Sequence, residues 1–175
     1  LLARKAKRVL VLGAEEESMR RAVAAFRAHL QERGGTVTDV LSVAEKPLDM
    51  TAALQTAAQK PEGVDAVFLA LKPAQARAIA PQLATTSLGG KPRVATSQLS
   101  ASDGDEAHAL DGIAFPSEAW AVRSLRGLPT QANAGRILPS ARGGAGKLFA
   151  FGYDAWLLTA YLERQATSSE GINGA

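Results

Sequence analysis

The segment "VDAVFLAL" (Val64–Leu71) decides the fold, because it is the strongest strand prediction in the sequence. A continuous apolar run of this length is typical of a strand that is buried on both faces of a parallel sheet. Pro73 follows two residues later, at a position where the first turn of a helix tolerates proline. The segment therefore predicts a central strand that leads directly into a helix, "PAQARAIAPQLATT", with a kink or a restart at Pro81.

The same strand-then-helix order recurs on both sides of this segment. "RVLVLG" (Arg8–Gly13) is a second apolar run, and Met19, Val23, Phe26 and Leu30 repeat after it at helical spacing. The other predicted strands are Thr36–Val43, Arg93–Leu99 and Gly112–Pro116. This alternation predicts an α/β fold, a Rossmann-like parallel sheet with helices on both faces and right-handed crossovers.

Composition narrows the class of protein. The chain has 175 residues, 46% of them hydrophobic and 21% charged, as in an ordinary soluble globular domain. It has no cysteine, which excludes disulfides, a thiol nucleophile and a thiolate metal site. The chain begins at Leu1 without a methionine or a signal peptide, so we expect it to be a piece of a longer protein.

The N-terminal basic cluster does not predict nucleic-acid binding. The net charge is +3, and Arg4, Lys5, Lys7 and Arg8 lie together. A nucleic-acid surface needs aromatic side chains among its basic residues, and no aromatic residue occurs before Phe26. We interpret the cluster as a solvated end of the fold.

Two glycine-containing segments resemble nucleotide-binding motifs only in part. "GGAGK" (Gly143–Lys147) lacks the first glycine of a phosphate loop and has Leu148 where that loop needs serine or threonine. "VLVLGAEEES" lacks the later glycines of a dinucleotide site and places Glu15 to Glu17 where a pyrophosphate would bind. The first is interpreted as an approach to a helix and the second as a helix N-terminus that favours acidic residues.

The remaining polar residues do not form a catalytic or metal-binding pattern. His29 and His108 are far apart in the predicted fold, and a metal site needs converging ligands. The serines near Asp103 have no histidine or lysine at motif spacing to activate them. We therefore predict a protein that is not an enzyme and that uses no cofactor or metal.

Ligands of open α/β sheets lie beyond the carboxyl ends of the strands, and this rule predicts a candidate rim. The rim would suit a polar small molecule or a partner surface, although ordinary solvated loops explain the same residues. Its predicted members are Glu15, Glu16, Lys72, Ser97, Gln98, Ser117 and Glu118.

The C-terminal part of the sequence has a different character. "LRGLPTQANAGRILPSARGGAG" is rich in glycine and proline and has no clear period, so residues 125–146 are predicted to be a connection. Lys147–Gln165 has helical length but two apolar stripes. A helix that is apolar on all sides must be buried on all sides, so we expect other parts of the protein or a partner to pack around it.

The order of these segments resembles the LppC-type lipoproteins, the penicillin-binding protein activator family, in their C-terminal domain. The most specific combination is "FGYDAW" after "DAVFLA" and "ATS". The resemblance implies one lobe of a type 1 periplasmic-binding-protein fold. It further implies that residues 1–124 form an α/β lobe and that residues 147–175 are a return-crossing helix and tail that belong to a second lobe. In this piece of the protein, Lys147–Gln165 would otherwise bury its apolar surface by self-association.

The resemblance also implies a function. The expected protein is a periplasmic, outer-membrane-anchored lipoprotein that binds a class A penicillin-binding protein and regulates peptidoglycan synthesis, with its lipid anchor outside this sequence. Two alternatives remain open. One is a periplasmic receptor that binds an amino acid or another small polar ligand in the cleft between the lobes, and the other is the effector-sensing domain of a transcription factor.

Overall fold

The computed structural model describes residues 1–101, 108–117, 120, 129–141 and 143–170. Five of its segments form one parallel sheet in the order β2-β1-β3-β4-β5. The strands are β1 (Arg8–Ala14), β2 (Thr36–Val43), β3 (Ala66–Ala70), β4 (Arg93–Ala95) and β5 (Ile113–Ala114). The predicted α/β class with a parallel sheet is confirmed.

Helices connect the strands of the sheet and form the C-terminal part of the chain. The α-helices are α1 (Glu17–Glu32), α2 (Thr51–Ala58), α3 (Pro73–Ala84), α4 (Gln131–Ile137) and α5 (Gly143–Glu170). Short 3-10 helices lie at Leu2–Arg4, Ser97–Ala101 and Pro139–Ala141.

The centre of the sheet is the pairing of β1 with β3. Val9 to Gly13 pair with Ala66 to Ala70 in parallel register, and the side chains of both strands are buried. On one face, the ring of Phe68 stacks on the ring of Phe26 from α1, with centroids 4.0 Å apart. Burial on both faces explains why these two strands are uninterrupted apolar runs in the sequence.

The turn from α1 into β2 depends on two glycines. Gly34 has a φ of +76°, a backbone conformation that glycine adopts at the end of a helix without steric cost. A Cβ on Gly35 would lie 2.5 Å from Leu30 Cδ1, so the side chain of Leu30 could not stay where it is. These glycines let the chain reverse closely enough for β2 to pair with β1.

Three details differ from the sequence prediction. β4 ends at Ala95 because residues from Ser97 turn into a 3-10 helix, in which the Leu99 N–H lies 3.4 Å from the Thr96 carbonyl oxygen. α3 is a single helix through Pro81 and does not restart there. The segment 125–146 contains α4, which has no apolar period because its buried residues are Ala134 and Gly135.

The chain divides into two compact units, Leu1–Pro116 and Ser117–Ala175. The first contains the sheet. In the second, a small cluster of buried side chains forms around Trp120, whose ring lies 5.1 Å from that of Phe149. The Trp120 Nε1–H donates a hydrogen bond of 2.7 Å to the Pro129 carbonyl oxygen.

Helix α5 contributes Ala150 to the buried Trp120 cluster. After Ala150, most of its large apolar side chains up to Leu162 are exposed. These exposed side chains are Phe151, Trp156, Leu158, Tyr161 and Leu162. Exposed apolar patches of this kind are typical of interaction surfaces.

The amino ends of β1 and β3 are joined by an ion pair between Arg8 and Asp65. Asp65 Oδ2 accepts hydrogen bonds from the backbone N–H groups of Lys7 and Arg8, at 3.1 and 2.9 Å, and from Arg8 Nε at 3.1 Å. The guanidinium of Arg8 holds the pKa of the Asp65 carboxyl well below its usual range. The Asp65 carboxylate therefore holds the start of β1 next to the start of β3.

We predict that Asp65→Asn lowers the free energy of unfolding at pH 7 by about 1–3 kcal/mol, because hydrogen bonds to a charged group are lost. The carboxyl pKa is lowered in the folded state, so its contribution is present above the unfolded value of about 3.9 and is lost as the pH falls towards the folded value. The difference in the free energy of unfolding between wild type and variant should therefore become smaller below about pH 4. Urea titrations of both proteins at several pH values measure this difference.

Asp111→Asn is the control, because the Asp111 side chain is 80% exposed. The prediction is wrong if, at pH 7, Asp65→Asn loses as little free energy of unfolding as Asp111→Asn. It is also wrong if the loss caused by Asp65→Asn becomes larger in acid.

Candidate functional site

The order of the strands creates a switch point between β1 and β3. The chain runs from β1 outward to β2 and then returns to β3 on the other side of β1. In open α/β sheets a crevice forms at the carboxyl ends of the two strands where the order reverses. Here Glu15 and Glu16 follow β1, and Lys72 follows β3 by two residues.

Lys72 crosses this switch point through ion pairs. Its ammonium contacts Glu16 Oε1 from the end of β1, and it lies 3.8 Å from Glu45 Oε1 beyond the end of β2. The hydrogen bond to Glu16 is the largest cause of a raised pKa of Lys72. The structure therefore brings together two predicted rim residues, Glu16 and Lys72, and adds Glu45, which the sequence analysis did not identify.

Gln75 is a buried polar residue at the same edge, and the sequence analysis missed it. Its side chain is 3% exposed. The amide nitrogen donates to the carbonyl oxygens of Val43 and Ala44, at 3.1 and 2.9 Å, and Oε1 accepts from the Lys72 N–H at 3.0 Å. Gln75 thus ties the end of β2 to the start of α3. Its position as the third residue of a helix that opens with proline predicts the hydrogen bond with the Lys72 N–H but not the contacts with β2.

Glu15 lies apart from this ion-pair group and faces a groove. Its Oε1 accepts a hydrogen bond of 3.1 Å from the Ser42 hydroxyl at the end of β2. The groove has a volume of about 610 Å³ and runs between α1 and the carboxyl halves of β1 and β2. It is lined by Gly13, Ala14, Glu15, Arg20, Val23, Ala24, Arg27, Val40 and Ser42.

The other predicted rim residues belong to other segments of the chain. Ser97 and Gln98 are exposed in the 3-10 helix after β4. Just before them, the Thr96 Oγ1 is buried and has no hydrogen-bond partner among the described residues. Ser117 belongs to the second compact unit, and Glu118 lies outside the described residues. The role of the rim as a ligand or partner site stays a prediction.

The two histidines pair with separate carboxylates. His29 Nδ1 lies 3.1 Å from Glu32 Oε2 on the exposed side of α1, and His108 Nδ1 lies 3.5 Å from Asp111 Oδ2. Within the described ranges, histidine, aspartate and glutamate do not gather in a group of three that could hold a metal ion. Of the helices in that part of the chain, none combines the length and apolarity required to cross a membrane.

The segment that resembles part of a phosphate loop is helical. Gly143 to Lys147 form the first turn of α5, and Gly146 is buried close to Ala141 and Gln131. A Cβ on Gly146 would lie 3.2 Å from Gln131 Nε2 and 3.3 Å from the Ala141 carbonyl oxygen. The glycine therefore allows close packing inside the second unit.

Comparison with known proteins identifies relatives of this fold. The family described as "LppC putative lipoprotein" matches residues 6–174. In contrast, the chain matches no protein in a sequence search of curated proteins.

The solved structures that are similar to the chain include regulators and substrate-binding proteins. The C-domain of LpoA (YraM) from Haemophilus influenzae, described as a regulator of PBP1A, has a TM-score of 0.66 at 15% identity over 93% of this chain and 50% of that chain. A monoclinic form of LpoA from the same organism has a TM-score of 0.63 at 17% identity, covering 90% of this chain and 28% of that chain. A substrate-binding periplasmic protein from Ralstonia solanacearum has a TM-score of 0.52 at 18% identity, with coverages of 65% and 32%.

These similarities show the fold. The predicted Rossmann-like lobe of periplasmic-binding-protein type is confirmed. The chain spans half or less of the length of the structures it matches.

We predict that Gln75→Leu lowers the free energy of unfolding by about 1–3 kcal/mol, because the Val43 and Ala44 carbonyl groups and the Lys72 N–H lose their partner. Denaturant titration measures the loss. Gln55→Leu, on the exposed side of α2, is the matched control. Equal stability of the two variants would show that Gln75 does not hold this edge together.

Proposed function

The chain belongs to the LppC family, and we propose from this membership that its protein is a non-enzymatic regulator of peptidoglycan synthesis that binds a class A penicillin-binding protein. The observation that carries the proposal is the family match over residues 6–174, nearly the whole chain. The similarity in fold to LpoA, itself described as a regulator of PBP1A, supports it.

The arrangement at the carboxyl edge of the sheet agrees with a role that needs no catalysis. Lys72 is engaged with Glu16 and Glu45, and Gln75 with the backbone at the end of β2. These contacts stabilise the edge of the sheet. The activity that we propose is contact with another protein.

We place the proposed activity in the periplasm. The family description as lipoproteins and the periplasmic relatives of the fold support this location. We further propose that a lipid anchors the protein to the outer membrane. Because the sequence contains no cysteine, the residue that carries the lipid would belong to a part of the protein outside these 175 residues.

The exposed side of α5 supports a proposal about domain organisation. We propose that residues 1–124 are a lobe, that residues 125–146 are a connection, and that residues 147–175 pack in a second lobe. Two observations support a second lobe. Trp156, Leu158 and Leu162 are exposed, and the chain covers 50% of the LpoA C-domain. A second copy of the chain, joined through Lys147–Gln165, is the other way to cover this surface.

A receptor for an amino acid or a similar small polar ligand is the second candidate function. The similarity to the Ralstonia substrate-binding protein favours it, and so does the switch point between β1 and β3, because ligands of open α/β sheets bind at such a point. The proposed ligand would lie in the cleft between two lobes, against the rim residues Glu15, Glu16, Lys72, Ser97, Gln98, Ser117 and Glu118.

The direct test uses the protein at the length that its gene encodes. Added to the class A synthase of the same organism, it should increase the rate of glycan polymerisation or cross-linking. The Ralstonia-type binding protein at the same concentration is the control. If the protein neither binds the synthase nor changes its rate, the proposed regulatory function is wrong. If titration with amino acids releases heat, the result favours the proposed receptor function.

We predict that Trp156 is shielded in the full-length protein. In the 175-residue chain its side chain is 60% exposed, whereas Trp120 is 8% exposed. At each length, the difference in acrylamide quenching between wild type and Trp156→Phe isolates the Trp156 signal, and in the 175-residue chain Trp120 is the other tryptophan. Quenching of Trp156 should be slower in the full-length protein, and equal rates in both lengths would contradict the proposed second lobe.

A further inference from the structure

The groove between α1 and β2, here called the α1–β2 groove, is the strongest candidate for a partner surface within the first compact unit. Its wall is the side of α1 that carries Arg20, Val23, Ala24 and Arg27, and Val40 of β2 lies opposite. Because residues three, four and seven apart share one side of a helix, these four α1 residues form a continuous strip.

Two guanidinium groups give this groove its charge. Arg20 and Arg27 are seven residues apart, which separates them by about 10 Å along the helix axis. Arg20 has an exposed partner, Glu17, at 2.8 Å. Arg27 forms no ion pair within the part of the chain that the structure describes. Glu15, at the other end, is engaged with the Ser42 hydroxyl. Because Glu17 is shared by Arg20 and Arg21, the three arginines at positions 20, 21 and 27 outnumber the two carboxylates of Glu15 and Glu17 around this groove.

The floor between the arginines is apolar. Val23 and Ala24 line it from α1, and Val40 lines it from β2 with 37% of its surface exposed. Gly13 lies beneath Val23, and a Cβ at Gly13 would lie 3.3 Å from Val23 Cγ2. An aliphatic side chain of a partner could bury this surface, and the arginines would bind carboxylates on either side of it.

The free edge of β2 is protected, so a partner is expected to bind through side chains and not as an added strand. β2 is an edge strand, and its register with β1 shifts between Val9 and Leu10. Asp39 Oδ1 accepts the Val40 N–H at 2.9 Å, and Asp39 Oδ2 binds Lys60 Nζ at 2.7 Å. Irregular register and charged residues on an edge strand disfavour pairing with another chain.

We propose that the α1–β2 groove binds an acidic segment of the partner synthase. Carboxylates of that segment bind Arg20 and Arg27, and an aliphatic side chain between them covers Val23 and Val40. The inference rests on the proposed function, because it assigns the contact to the synthase. It is carried by charge complementarity around an exposed apolar floor.

The test compares two double variants of the full-length protein that remove the same charge. Arg20→Gln with Arg27→Gln changes the groove, and Arg4→Gln with Arg33→Gln removes two exposed arginines elsewhere on the same unit. Affinity for the purified synthase is measured at about 50 and 300 mM salt, because screening weakens exposed ion pairs. The groove variant should bind about ten-fold or more weakly at low salt, and the control within about two-fold of wild type.

The outcomes separate the two proposals. If both double variants bind the synthase with equal affinity, the proposed role of the α1–β2 groove is wrong, whereas the proposed function is unaffected. A wild-type protein that binds no synthase at either salt concentration would overturn the proposed function and this inference with it. If the groove variant instead loses only self-association, measured by light scattering, the occupant is a second copy and the inference is wrong. Unchanged thermal unfolding of both variants confirms that folding is intact.

Discussion

Parallel pairing of β1 with β3, with side chains buried on both faces, is the constraint on which the rest of this structure depends. The two strands are neighbours in the sheet although β2 separates them in sequence, so the order must reverse between them. This reversal places the residues that follow β1 and β3 on opposite sides of one crevice. The ion pair of Glu16 with Lys72 is a direct consequence. At the opposite edge, Asp65 and Arg8 fix the same two strands.

The carboxyl edge and the α1–β2 groove differ in how far their polar groups are already engaged. At the edge, Lys72 has two carboxylates and Gln75 uses both ends of its amide on the backbone. In the groove, Arg27 and the exposed side of Val40 are available to a partner. A binding-protein fold with an internally paired crevice and an open basic groove supports a function based on contact with another protein.

Much of the sheet could be predicted from sequence because strands buried on both faces are continuous apolar runs. Glu16 and Lys72 could be placed at one rim because the ends of parallel strands meet at one edge. Gln75 could not, because the sequence does not show that a glutamine in a first helical turn will be buried. α4 was missed for a related reason: a helix that buries Ala134 and Gly135 has no apolar stripe to reveal it. Only tertiary contacts identify such residues.

The paired strands β1 and β3 form the buried centre of the sheet, whereas Phe151, Trp156, Leu158 and Leu162 of α5 are exposed. Hydrogen exchange of backbone amides along the 175-residue chain tests this contrast most directly, because protection follows burial and local stability. The account predicts the slowest exchange in Arg8–Ala14 and Ala66–Ala70 and much faster exchange in α5 beyond Phe151. Exchange in β1 and β3 as fast as in the distal half of α5 would contradict it.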